Sequence, residues 1–336
     1  MPGAFGLLFL LLLGACGAAR ADACTATLTD LNFGSVSPIT GSDVYASASG
    51  NVTCVWSLLS PTPPFILLLP KAVVCINISL GSNSTSSSPR TLGNGASRME
   101  YNLYRDATYA PAAIWGSPAL AGTPTPLTLV IPAPNLLTGG TFAQPFTVYG
   151  KIAAGGSLAA VPTSGNANTT YSSSFTGAAT ISYAFFNLFQ PACTSGASGS
   201  FSFQASATAI NDCTISATPV NFGNSGVLTS TVRATGTLSV RCVNNNAYQI
   251  ALNGGTVAGA VAARKMKPAS GSARIAYRLS QSLDGAVWGD GTGGTTVYSG
   301  TGTGNALGIT VFGAVPAQTT PAPGDYSDTV TATIYF

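Results

Sequence analysis

Apolar and polar positions alternate with a period of two in short stretches of this chain, at residues 200–210, 237–243 and 329–335. Such stretches read as strands with one buried face, and the Gly, Pro, Asn and Ser clusters between them have the spacing of sandwich turns. No sustained 3.6-residue period occurs, so the pattern predicts an all-β protein in which helices are negligible. One apolar run has a different character. Residues 5–13 are almost continuously apolar and lead through small residues to Ala19, Arg20 and Ala21, which reads as a secretory leader cleaved after Ala21. Leu13, Gly14, Ala15 and Cys16 alternatively read as a lipoprotein box with Cys16 lipidated. No later run reaches the ~18 apolar residues that a membrane-spanning helix needs.

Composition narrows the chemistry. Of 336 residues, 13 are Lys or Arg and 10 are Asp or Glu, so charged side chains make up 7% of the chain, against about 25% in an ordinary globular protein. Histidine is absent. General acid-base catalysis and metal binding are therefore short of parts, and the lysines that might activate a hydroxyl, Lys71, Lys151, Lys265 and Lys267, sit in no recognisable motif. A net charge of +3 is too weak for a nucleic-acid footprint. The chain reads as a non-enzyme with no cofactor and no metal. Setting aside Cys16 leaves Cys24, Cys54, Cys75, Cys193, Cys213 and Cys242, an even set that an oxidising compartment would turn into three disulfides.

The chain also repeats itself. Cys24 is followed nine residues later by Phe33-Gly34 and thirty later by Cys54; Cys213 is followed nine later by Phe222-Gly223 and twenty-nine later by Cys242. Arg90, Tyr101, Leu103 and Trp115 then match Arg264, Tyr277, Leu279 and Trp288; Val148-Tyr149-Gly150 matches Val311-Phe312-Gly313, and Tyr171 matches Tyr326. This correspondence argues for duplication of one module.

In this order and spacing the repeated residues, together with the ending 324–336, resemble the spore coat protein U domain family, the β-sandwich pilins of archaic chaperone-usher pili. The resemblance spans nearly the whole chain after the leader, twice, and a two-domain member is similar to the tip adhesin of Csu-type pili. It implies two tandem immunoglobulin-like β-sandwich pilin domains, capture by a periplasmic pilus chaperone, passage through an outer-membrane usher, and display on the cell surface at the pilus tip. The expected organisation is a signal peptide at 1–21, an adhesin sandwich at 22–198, a complementing strand and linker at 199–211, and a second sandwich at 212–336. Cys24 with Cys54 and Cys213 with Cys242 are the inferred repeated bridges; Cys75 and Cys193, which the repeat does not use, would if paired tie two loops together, while six cysteines allow fifteen connectivities.

Strand counting points the same way. The first half continues into the alternating stretch 200–210, and the second half has no counterpart, so the second sandwich is expected to lack its final strand and to accept one from an adjacent pilin subunit. Only two residues precede Cys24 after the expected cleavage, too few to serve as a donor. These features place the subunit at a fibre end.

What the first half adds to the repeat is apolar. Cys54 lies 24 residues before Ile78, whereas Cys242 lies eight before Ile250, an excess of 16 that carries Trp56, Leu58, Leu59, Phe65, Ile66, Leu67, Leu68 and Leu69 between prolines. Further extra material reads as a hairpin displaying Leu136 and Leu137, and Phe186, Leu188 and Phe189 lie in a third apolar stretch. Exposed at one end of the sandwich, these fingers would attach cells to hydrophobic or abiotic surfaces and promote biofilm formation. Burying roughly 400 Å² of apolar surface is worth on the order of 10 kcal/mol before association costs. A carbohydrate-binding surface protein is the alternative, with Trp56, Trp115 and several tyrosines stacking on sugars, although the match of Trp115 to Trp288 argues for a structural role.

Overall fold

Alternation along the sequence becomes burial in the computed structural model, which describes residues 22–57, 70–120, 125–134 and 140–336. The first unit contains β1 (Ala23–Leu28), β2 (Leu31–Val36), β3 (Val44–Trp56), β4 (Lys71–Ile78), β5 (Arg90–Asn94), β6 (Ser97–Tyr104), β7 (Leu127–Pro132), β8 (Gly140–Ile152), β9 (Thr169–Ser174), β10 (Ala179–Phe186), β11 (Ala197–Phe201) and β12 (Gln204–Ala209). They form an eight-stranded sheet in the order β1-β3-β8-β6-β5-β9-β12-β2 and a four-stranded sheet in the order β11-β10-β4-β7. Along β3, Ala48, Val52, Cys54 and Trp56 turn into the core while Ser47, Ser49 and Asn51 face solvent. The 200–210 stretch behaves as its alternation requires. Phe201, Phe203, Ala205, Ala207 and Ala209 are buried, and β12 runs antiparallel to β9 and parallel to β2, using both of its backbone edges.

The second unit contains β13 (Cys213–Ala217), β14 (Val232–Cys242), β15 (Ala247–Leu252), β16 (Lys265–Pro268), β17 (Ile275–Ala276), β18 (Arg278–Ser280), β19 (Tyr298–Thr301), β20 (Leu307–Val315), β21 (Tyr326–Ser327) and β22 (Ala332–Tyr335). Its sheets are smaller, ordered β13-β14-β20-β18, β19-β15-β22 and β17-β16-β21. Among the described residues, helix is confined to single turns such as α1 (Gly156–Ala159) and α2 (Gly255–Ala258).

The duplication extends to individual hydrogen bonds. Trp115 Nε1 donates to the Ile76 carbonyl at 2.8 Å, and Trp288 Nε1 donates to the Ile250 carbonyl at 2.9 Å. Both indoles are fully buried. Arg90 and Arg264 are buried beside them, each donating to the carbonyl of its tryptophan at 2.9 Å and to further carbonyls, from Ser79 and Ser87 in one unit and Leu252 and Asn253 in the other. A buried guanidinium of this kind is held by carbonyl acceptors, without a carboxylate; in the second unit the Arg264 bonds use Nε and Nη2, and Nη1 has no partner among the described residues. Desolvation lowers the Arg90 pKa to about 10. These bonds match Ile250 to Ile76, two residues from the expected Ile78, which shortens the apolar insert after Cys54 from 16 to 14 residues.

The expected hairpin around Leu136 and Leu137 is corrected. β7 pairs with β4 in one sheet and β8 pairs with β3 in the other, so the connection crosses between layers. The apolar face of β7 explains this, because Ile131 is fully buried and must lie against the core. The two units are joined through paired amides. The Asn166 side chain both donates to the Ala247 carbonyl and accepts from its N–H, each at 3.0 Å, and Asn244 Nδ2 donates to the Ala160 carbonyl at 2.8 Å.

Candidate functional site

Three strand registers bring the stems of the apolar segments to one end of the first unit. Trp56, the last residue of β3, lies opposite Gly140, the first of β8; Lys71, the first residue of β4, lies opposite both Pro132 and Phe186. The segments that leave Trp56, Pro132 and Phe186 therefore start from the same edge. Leu58, Leu59, Phe65, Ile66, Leu67, Leu68, Leu69, Leu136 and Leu137 lie outside the described residues. Of the remaining candidates, Leu188 is 69% exposed and Phe189 is 84% exposed.

Trp56 and Phe186 do not belong to that exposed surface, contrary to the sequence expectation. Trp56 is 2% exposed and packs edge-on against Phe185, with ring centroids 5.7 Å apart. Its even position in β3 turns it inward with Val52 and Cys54. Phe186 is buried in a small cluster with Val73 and Cys75. That cluster lies beside the segment after β10, which the Cys75–Cys193 disulfide ties to β4. The Ser182 hydroxyl reinforces the tie by donating to the Cys193 carbonyl at 2.6 Å. Cys24–Cys54 and Cys213–Cys242 form the other two bridges, each between directly opposed strand residues.

The second unit differs from the first where β12 lies. In the first unit Leu31, Phe33, Met99, Tyr171 and Ile181 are buried. Their counterparts Val220, Phe222, Ile275, Tyr326 and Ile334 are all only half-buried. Among the described residues, 218–231 form no strand, β21 pairs only with β16, and β22 pairs only with β15, which leaves a groove lined by apolar side chains and free strand edges. A carboxylate braces its rim. Asp328 accepts hydrogen bonds from the Thr256 and Val257 N–H groups at 2.9 and 3.1 Å, and from the Tyr277 hydroxyl at 2.7 Å. Burial, and secondarily Asp328, pushes the Tyr277 pKa well above the ordinary tyrosine value. The equivalent of Asp328 in the first unit is Ser173, on the strand that β12 covers.

A sequence model of the Spore Coat Protein U domain matches residues 11–166 and again residues 199–333. The chain belongs to the spore coat protein U domain family. No curated protein sequence matches it. Among solved structures, it is similar to the tip adhesion subunit in the CsuC–CsuE pre-assembly complex of Acinetobacter baumannii Csu pili. Identity there is 17%, 94% of this chain and 100% of the other are covered, and the TM-score is 0.48. It is also similar to the CupB6 tip adhesin of Pseudomonas aeruginosa, at 12% identity over 93% of each chain with a TM-score of 0.36.

Across the two spore coat protein U repeats, then, the shared residues are structural, and two of the differences bear on assembly and on the apolar segments. One is the apolar end of the first repeat, and the other is the strand position that β12 fills in the first repeat alone. Among the described residues no group of three or more His, Cys, Asp or Glu side chains is placed to hold a metal ion.

Proposed function

We propose that this chain is a pilus tip adhesin assembled by the chaperone-usher pathway, and that it attaches cells to hydrophobic or abiotic surfaces and so promotes biofilm growth. Its partners are a periplasmic chaperone, an outer-membrane usher, and an adjacent pilin that donates a strand to the second unit. Family membership and the half-buried groove support the assembly route. An exposed strand edge over apolar pockets favours an extended segment from another chain, which satisfies the backbone groups and fills the pockets together.

The observation that carries the adhesive role is the common origin of the three apolar segments, with Leu188 and Phe189 exposed at their base. Large exposed apolar side chains gathered at one end of a chain with 7% charged residues are suited to surfaces that offer no hydrogen bonds. Replacing Leu67, Leu68 and Leu69 with Ser, alone and together with Leu188→Ser and Phe189→Ser, tests it. Attachment of piliated cells to polystyrene is expected to fall sharply while pilus length and number stay unchanged. Unchanged attachment by the five-residue variant rejects the apolar-end mechanism.

A further inference from the structure

A second feature of the first unit lies far from the apolar end. On the outer face of the eight-stranded sheet, β3, β8 and β6 place Tyr45 opposite Lys151 and Tyr104 opposite Tyr149. Tyr109, from the loop after β6, packs among three of these rings, with centroids 4.6 Å from Tyr45, 5.3 Å from Tyr104 and 6.2 Å from Tyr149. Tyr45 stands 51% exposed, while Tyr109 and Tyr149 are half-buried. Tyr45 is eleven residues before Trp56 along β3, so the cluster lies roughly 35 Å from the apolar stems.

The second unit shows what this position holds when no such cluster is built. Arg233, Arg278 and Phe312 stand where Tyr45, Asn102 and Tyr149 stand in the first unit, and Asp284, from the loop after β18, contacts Arg233 as Tyr109 contacts Tyr45. There Asp284 closes two ion pairs, at 2.8 Å to Arg233 and 3.4 Å to Arg278. Asp284 and Tyr109 both have φ of 53°, in the left-handed region. An aspartate tolerates that backbone, and a bulky aromatic residue is disfavoured in it. The first unit thus keeps a tyrosine in an unfavourable conformation where an ordinary ion pair would suffice structurally, and the ring it gains lies against Tyr45 at the surface.

The rim of the cluster is polar. Lys151 Nζ lies 2.7 Å from Asp43 Oδ2 and 5.9 Å from the centre of the Tyr45 ring, and Tyr45 also donates to Asp43. A cleft of about 130 Å³ adjoins it, lined by Asn102, Tyr104 and Lys151 together with the backbone of Gly155 and Gly156. Asn102 Oδ1 has no hydrogen-bond partner among the described residues. The charges on the surrounding elements nearly cancel, with Lys151 and Arg105 against Asp43, Glu100 and Asp106.

We propose that this tyrosine platform is a binding site for a neutral saccharide with equatorial hydroxyls. The apolar C–H face of such a pyranose lies on the exposed Tyr45 ring and the half-buried Tyr109 and Tyr149 rings beside it, and its hydroxyls reach Lys151 and Asp43. Flat aromatic rings beside a few fixed polar groups are the composition of a site for an amphipathic small ligand. Three partly exposed rings over a buried Tyr104 offer less than the ~800 Å² per side that a specific protein partner needs, and nearly balanced charge gives no hold to an anionic glycan. This site is independent of the apolar end and of the surface that end contacts.

The test uses the full chain with cellohexaose and chitohexaose as probes, followed by saturation-transfer NMR and calorimetry. Weak binding of at least one hexasaccharide is expected, with transfer from tyrosine resonances, and affinity should fall about tenfold or more in Tyr45→Ala with Tyr109→Asp. Leu188→Ser with Phe189→Ser should bind as the unaltered chain does. Tyr45→Ala alone, at an exposed position, is the control for a fold disturbed by the loop change, and it too should weaken binding. The proposal is overturned if neither probe binds at ~10 mM, if the tyrosine variants bind undiminished, or if those variants lose only attachment to polystyrene.

Discussion

The ring of Phe203 lies face to face with that of Phe175, centroids 4.4 Å apart and planes 4° apart, and it also stacks on Trp115 at 6.0 Å. Phe203 immediately precedes β12, so the strand that closes the first groove is anchored on the same tryptophan that both repeats build into their cores. Phe203→Ala is expected to destabilise the first unit by about 3–5 kcal/mol, the usual cost of emptying a buried phenylalanine site. Denaturant unfolding followed by near-UV signals checks this, and a loss under about 1 kcal/mol would show that β12 is not held by its aromatic anchor.

The half-buried groove of the second unit should respond to a strand supplied from outside. A copy of residues 200–210, fused beyond Phe336 through a flexible Gly/Ser linker, is expected to raise the thermal midpoint of the second unit and protect amides around Tyr326 and Phe222 from exchange. Aspartate in the copy at the positions of Ala205 and Ala207 should abolish both effects, because those side chains face the core. A second unit equally protected with and without the fused strand argues against an acceptor groove.

Cys75 and Cys193 are 118 residues apart in sequence, so in the chain-entropy account their bridge contributes on the order of 4–5 kcal/mol, more than the bridge between Cys213 and Cys242, which are 29 apart. Cys75→Ser with Cys193→Ser is expected to free the segment bearing Leu188 and Phe189 before it unfolds the sandwich. Hydrogen exchange should rise at residues 187–196, and surface attachment should drop, under conditions in which the rest of the first unit stays protected. Uniform loss of protection across the unit would contradict a local role.

The Lys151 ammonium, and after it the Ala154 N–H, hold the Asp43 carboxyl below its ordinary pKa. Folding therefore favours the ionised form. The stabilisation is present above the ordinary carboxylate pKa of about 3.9 and is lost as pH falls through the lower native value. Acidification below pH ~4 should loosen the Lys151 and Tyr45 side chains, seen as shifts of their NMR resonances. Asp43→Asn should remove that pH dependence, and persistence of the shifts in the variant would assign them to another group.

Much of the fold could be read from residue order because the module is written twice. The spacing of Cys24, Phe33 and Cys54 against Cys213, Phe222 and Cys242 aligns the units, and the alternation of 200–210 identifies a strand in the first with no described partner in the second. The candidate site was less legible. Apolar composition placed Trp56 with Leu58 and Leu59, yet the pleat of β3 turns Trp56 inward, and the same composition cannot tell an inward Phe186 from an exposed Phe189. The tyrosine cluster was invisible because Tyr45, Tyr104, Tyr109 and Tyr149 are scattered over about a hundred residues and meet only through strand register.

Residue order by itself determined the all-β class, the duplication, the even cysteine set and the family, because these depend on local period and on spacing along the chain. Tertiary structure alone decided which apolar residues face solvent, that β7 and β8 part into different sheets, and between which two strands the 200–210 segment lies. Burial and pairing are properties of neighbours in space, and a strand's own sequence specifies two faces without saying what will cover either.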